Sequence, residues 1–290
     1  MEYILHIAIM ICIYVVLVLS ANLPIGMANL LTMCQAAFYG IGAYIGTFFL
    51  MQFNLPFIVL ALIVMGCTGL FSLIISYASV KLKNDYFILG SLGFQMIAYT
   101  ILYNWTDVTR GPYGIPGIPS VKLLGFIEVN GVYGYFALLL AVVAVTVWLF
   151  SRIKHSPFGR VLKAMRSDEL SVKALGRNTT LLKVQTFFLS AAFSGLAGLI
   201  YASYVSYIDP TSFTLDESIF IVTALFIGGI GNVRGPVLGA VFVVVLPELL
   251  RFFGLPDAVA ANLRQIIYGL ALVIVMFLRP QGLLGENSIK

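Results

Sequence analysis

Charge is what this chain has least of. Only 10% of its 290 residues are Asp, Glu, Lys or Arg, while 60% are hydrophobic. A soluble domain carries about a quarter charged residues, so a cytosolic globular enzyme and a disordered chain are both excluded. Histidine is scarcer still, with His6 and His155 alone, too few for a histidine-based metal site. The three cysteines, Cys12, Cys34 and Cys67, lie in apolar runs at spacings that suit neither a zinc site nor a disulfide framework, and they read as small packing residues. No Gly-Lys dipeptide occurs, which excludes a phosphate-binding P-loop. No nucleophile elbow and no paired carboxylates within an apolar run are found, so no catalytic residue is assigned. Acids inside spans are the usual coupling groups of ion-driven carriers. Here only Glu248 approaches such a place, and Arg251 is spaced to pair with it on one helix face. The chain shows no energy source and no cofactor site of its own.

What is present in quantity is uninterrupted apolar sequence, with a mean hydropathy of +1.01. Residues 3–80 contain no Asp, Glu, Lys or Arg, and a bilayer crossing needs about 20 residues. Three spans fit, separated by turns expected at Asn22-Leu23-Pro24 and at Gln52 to Pro56. Further charge-free runs cover 86–106, 129–151 and 184–208, with shorter ones at 218–233, 235–247 and 265–278. The short runs reach across by snorkelling their flanking charges. The runs are continuously apolar and do not alternate, which selects helices over a β-barrel. The fold class expected is an all-α integral membrane protein, a polytopic bundle of eight or nine transmembrane helices. No Lys or Arg precedes the first run, so it lacks the basic region of a secretory signal.

The few charges have an address. Arg152, Lys154, Arg160, Lys163, Arg166, Lys173, Arg177 and Lys183 face only Asp168 and Glu169, giving segment 152–183 a net +6 out of the chain's +5. Nine basic and ten acidic residues remain, so everything else is nearly neutral. The excess is therefore no nucleic-acid signature, and the positive-inside rule makes 152–183 cytoplasmic. Segments 104–131 and 209–217 then become external loops. The C-terminus falls inside, and with nine spans the N-terminus falls outside. Residues 218–236 are open to a second reading, as a re-entrant hairpin.

The basic segment has helical punctuation. Ser156 with Pro157 and Gly159 reads as a helix start, and Ser167-Asp168-Glu169 as a second start with acids in the first turn. Gly176 reads as the stop. Two short surface helices result, with Phe158, Leu162, Met165, Leu170, Val172 and Leu175 as their apolar component. Lipid-headgroup binding and docking to a cytoplasmic partner are both open, and the acidic pair and glycine stop favour docking. A polar seam is the other candidate. Asn29, Thr32 and Gln35, spaced by three, are expected on one helix face, with Gln95 in the fourth span. Tyr201, Tyr204 and Tyr207 are placed towards the outer interface near Asp209. Gly228, Gly229 and Gly231 before Pro236 suggest a broken helix lining a path, since freed backbone needs protein or a water-lined cavity. Other glycine-rich stretches, at Gly40 to Gly46 and Gly195 to Gly198, read as close helix packing.

Four stretches resemble a known family: Gln35 to Tyr44, Thr109 to Pro119, Ser156 to Glu169 with Ala174-Leu175-Gly176, and Gly228 to Gly239. The chain is similar to the membrane permease subunits of branched-chain amino-acid ABC transporters, of the longer of their two permease types. Met33-Cys34 stands where that family often has Gly-His. The resemblance implies a single permease domain over 1–290, with 152–183 as its cytoplasmic coupling loop in a bacterial inner membrane. In such importers Ser156, Pro157, Gly159, Arg160, Lys163, Arg166, Asp168, Glu169, Ala174 and Gly176 would couple to the ATPase. It also implies a second homologous permease, two ATPase subunits holding ATP and magnesium, and an external, periplasmic binding protein. Its alternatives are a permease of the same architecture for urea, amides or other small carboxylates, and an ion-coupled secondary carrier.

Overall fold

The computed structural model describes residues 2–53, 55–82, 85–123, 127–129, 131–252, 257–278 and 282–284. Helix dominates them, as a backbone must when lipid offers it no hydrogen bonds. Five segments are long and apolar enough to cross a bilayer: Glu2–Met27, Phe57–Ala78, Tyr86–Asn104, Gly131–His155 and Thr179–Val205. In chain order the helices are α1 (Glu2–Ala21), α2 (Gln35–Gln52), α3 (Phe57–Lys81), α4 (Asp85–Asn104), the single turn α5 (Thr106–Thr109) and α6 (Gly131–His155). Two short surface helices follow, α7 (Pro157–Ser167) and α8 (Glu169–Ala174), then α9 (Thr179–Val205), α10 (Leu215–Gly228), α11 (Arg234–Phe252) and α12 (Asp257–Leu278). The architecture is that of an all-α membrane protein.

The first expected turn is not a turn. Helix α1 continues through Asn22–Met27 as a π-helix, a wider coil that tolerates the missing amide of Pro24. The chain leaves helical form only at residues 28–34, and α2 begins at Gln35. The second turn falls where expected, between Gln52 and Phe57.

Helix α9 is the central post, packed on α1, α2 and α3. It touches α2 almost backbone to backbone: a Cβ on Gly42 would lie 2.2 Å from Gly195 Cα. Serine and amide side chains hold the three helices in register. Ser194 Oγ donates to Gln35 Oε1 at 2.8 Å, Gln35 Nε2 to Ser190 Oγ at 3.0 Å, and Ser190 Oγ to the Ser20 carbonyl at 2.8 Å. All four side chains are fully buried.

Segment 104–131 meets the residues that directly precede segment 209–217. Strand β1 (Ile115–Pro116) pairs antiparallel with β4 (Tyr207–Ile208), and the Gly117 and Ile118 N–H groups donate to Ser206 O. A second short ladder joins β2 (Lys122–Leu123) to β3 (Ile127–Glu128). The α7–α8 segment lies at the opposite end, against the π-helical turn.

Candidate functional site

The basic segment is built from local caps. Ser156 accepts from the Gly159 N–H at 3.2 Å, and Pro157 fills the first helical position of α7. A Cβ on Gly159 would sit 2.2 Å from the Ile153 carbonyl, so this glycine lets α7 fold back on the end of α6. Leu162 and Met165 are buried, Phe158 and Lys163 half-buried, and Arg160 exposed, its guanidinium donating to the His155 carbonyl at 3.2 Å. Asp168 caps α8 through the Leu170 N–H at 2.8 Å. The Ser171 hydroxyl and the Leu170 and Ser171 N–H groups hold its carboxyl below the usual carboxylate range.

Helix α8 ends at Ala174 in a Schellman turn. The Gly176 N–H donates to Lys173 O and the Arg177 N–H to Val172 O, with Gly176 left-handed at φ +75°. Of the expected apolar component, Val172 is buried, but Leu170 and Leu175 are 74% and 82% exposed.

Two long-range contacts anchor this segment. Glu169 meets Lys173 Nζ at 2.9 Å and Lys183 Nζ at 3.0 Å, and accepts from Thr179 at 3.1 Å. Burial alone would raise its carboxyl, but the two ammonium groups and the hydroxyl hold it below its ordinary value. Lys183 is buried in α9, so the carboxylate fastens α8 to that helix. Arg166 Nη1 donates to the Gly26 carbonyl at 2.5 Å, and its partial burial lowers the guanidinium from its ordinary value. The π-helical turn exposes a carbonyl there that no helical amide takes.

From Gly26 the contacts continue inward. Asn22, fully buried, donates to the Asn232 carbonyl at 2.6 Å and accepts from the Gly231 N–H at 3.1 Å. Asn232 accepts from the Gly235 N–H at 2.7 Å, and its amide donates to Leu284 O. The Leu283 and Leu284 N–H groups cap the Ile227 and Gly228 carbonyls at the end of α10, each at 3.0 Å. Helix ends inside a membrane need such partners. Gly229 and Gly231, expected in a broken helix, form the turn between α10 and α11, and its free backbone is satisfied by side chains and by the residues after α12. The break closes an antiparallel hairpin: a Cβ on Gly228 would lie 2.0 Å from Gly235 O, and one on Gly239 1.9 Å from Ala224 O.

The polar seam is arranged differently from expectation. Asn29, Thr32 and Gln35 do not share a helix face, because residues 28–34 are not helical and Asn29 is left-handed at φ 55°. Asn29 is exposed, whereas Thr32, Gln35 and Gln95 are fully buried. Gln95 accepts from the Ala37 N–H at 2.7 Å and donates to Phe213 O at 2.9 Å, and Ser218 accepts from the Ala36 N–H at 3.0 Å. These side chains cap the start of α2 deep in the bundle. The expected Glu248–Arg251 pair cannot be described, since the Arg251 side chain lies outside the described residues; Glu248 accepts from the Tyr3 hydroxyl.

Glu217, expected in an external loop, sits in the first turn of α10 and accepts from Tyr14 at 2.6 Å. Tyr14 lies midway along the Glu2–Met27 span. The signal was its position next to a charge-free run, which length alone assigned to a helix starting one residue later.

The sequence profile of a family described as branched-chain amino acid transport system / permease component matches residues 3–276. The chain is 33% identical to the high-affinity branched-chain amino acid transport system permease protein LivM of Salmonella typhimurium, over 96% of this chain and 69% of that protein. It is 31% identical to the protein of the same name from Escherichia coli, again over 96% and 69%. No solved structure matches.

Proposed function

The chain belongs to the branched-chain amino acid ABC permease family, and on that premise we propose that it forms one of two permease halves of an ATP-driven importer. These relatives favour branched-chain amino acids as its cargo over urea or amides, and they do not favour an ion-coupled carrier. In this reading residues 1–290 make one permease domain with nine crossings, α1 to α4, α6 and α9 to α12. Segment 152–183 and the C-terminus are cytoplasmic. A second homologous permease completes the path, two ATPase subunits bind ATP and magnesium, and an external binding protein delivers the ligand.

The observation that carries the reading is the form of α7 and α8. Their caps are internal, their anchors reach Gly26 and Lys183, and their outer face presents Leu170 and Leu175 amid positive charge. Apolar side chains this exposed at the end of a membrane bundle suit a protein partner. Motion of a docked ATPase would pass from α7 through Arg166 to the Gly26 carbonyl, and through Asn22 to the break between α10 and α11. Thr32, Gln35 and Gln95 serve that path by holding α2 in place, and Gly228, Gly229 and Gly231 by forming its hinge.

Leu170→Asp tests the docking directly, because an exposed residue can be changed without disturbing the bundle. In the reconstituted transporter, substrate-stimulated ATP hydrolysis is expected to fall roughly tenfold, the loss expected of a contact at the centre of an interface. Glu169→Lys is expected to do the same by repelling Lys183, and Gly176→Trp by straining the turn. Unchanged stimulation in all three would remove the docking role.

A further inference from the structure

One face of α1 carries polar groups that lipid would reject. His6, exposed, meets the Tyr204 hydroxyl at 2.7 Å, and Tyr14, half-buried, meets Glu217. Tyr14 stands eight residues after His6, about 12 Å further along the helix. Ionisable groups at such depth face a bundle interior or a water-filled passage. Glu217 keeps part of its surface exposed, and an acid so placed in a membrane is turned towards a passage or a partner. Of the residues first expected to line a path, Thr32, Gln35 and Gln95 are sealed in, Gln35 hydrogen-bonded to α9 and Gln95 to α2.

Glu217 has the makings of a cation site. Among the described residues its one hydrogen bond is to Tyr14, and no Lys or Arg pairs with it. An acid in the first turn of α10 is favoured by the helix dipole, which offsets part of the cost of placing it inside the span. Tyr39 and Tyr201 lie within electrostatic reach of the same carboxylate. Their rings are 5.5 Å apart, and Phe213 packs edge-on to both, at 5.0 Å from Tyr39 and 6.2 Å from Tyr201. Tyr44 packs on Phe213 at 6.1 Å and has a buried hydroxyl with no hydrogen-bond partner among the described residues. A carboxylate with tyrosine side chains around it suits an ammonium group, while the Tyr44 hydroxyl lies towards Asp209 and Tyr207.

We propose that Glu217 takes the α-ammonium group of the amino acid in transit, against a wall formed by Tyr14, Tyr39 and Tyr201. The proposal rests on the importer reading above and names the group of the cargo that this chain itself recognises. It leaves ATPase docking untouched, since Glu217 is remote from α7 and α8.

Glu217→Gln keeps the volume and an oxygen for Tyr14 but removes the charge; Glu217→Asp keeps the charge and shortens the arm. Both are measured in the complete transporter in proteoliposomes, by leucine uptake and by ATP hydrolysis stimulated by the loaded binding protein. The Gln variant is expected to lose uptake roughly tenfold, as for a lost hydrogen bond to a charged group, with ATP hydrolysis within about twofold of normal, which also reports intact assembly. The Asp variant is expected to retain most uptake. Normal uptake by the Gln variant, or equal loss in both variants, overturns the proposal. Failure of the unaltered transporter to import leucine overturns the importer reading, and the proposal with it, before any variant is compared.

Discussion

Glu169 illustrates how much a single side chain can organise at the residue scale. It bridges Lys173, Lys183 and Thr179 and so holds α8 to α9. Its carboxyl lies below its ordinary value, so its stabilisation is present above the unfolded-state value of about 4.3 and is lost as pH falls through the lower folded value. A spin label at Ala174→Cys is therefore expected to report the same α8 mobility from about pH 8 to about pH 5, with mobility rising only below about pH 4. Asn22 gives a second test. Asn22→Ala leaves the Gly231 N–H and the Asn232 carbonyl without their partner, at a cost of about 1–3 kcal/mol for each buried group. Thermal unfolding in detergent should move down by several degrees, while binding of the ATPase persists. The caps at Ser156, Asp168 and Gly176 were legible in the sequence because each acts on a group two or three residues away. Asn22 and Gln95 were not, because their partners lie from 58 to 210 residues away in the chain.

Helices α10 and α11 show what decides an element. A run of 14 residues, Leu215–Gly228, extends about 21 Å at helical rise and is too short to cross a core of about 30 Å unaided. It is preceded by the 3₁₀ turn Pro210–Phe213, whose last carbonyl is held by Gln95 inside the bundle, so the chain enters before the helix starts. The charge-free run began at Ser218 and hid this, which is why Glu217 was read as part of an external loop. Hydropathy likewise could not show that Pro24 would be absorbed in a π-helix, because the alternative turn is equally apolar. The glycines were read more closely, since small residues at helix spacing have few other uses in lipid. Gly239→Val would drive a side chain into the Ala224 carbonyl, and is expected to abolish recovery of folded permease. Gly66→Ala in α3 meets nothing within 4 Å and is expected to leave thermal stability unchanged or raise it by up to about 1 kcal/mol. Equal yields of both variants would contradict the hairpin packing.

For the whole molecule, the low charged fraction led to the membrane, and the position of the charges is the basis of the proposed orientation. The pairing of β1 with β4 lies at one end of the bundle and the contact of α7 with Gly26 at the other. The path was the part least open to reading. Polar residues in a span serve packing as often as passage, and only their partners separate the two: Gln35 and Gln95 fasten helices, whereas Glu217 has a hydrogen bond to Tyr14 and no basic partner among the described residues. The central claim is that α7 and α8 carry the motor contact. A photoreactive residue in place of Leu175, which is 82% exposed, tests it most directly in the assembled transporter. An adduct with the ATPase subunit, formed from the cytoplasmic side, is the predicted result. Adducts with lipid or the external binding protein, and none with the ATPase, would contradict the account.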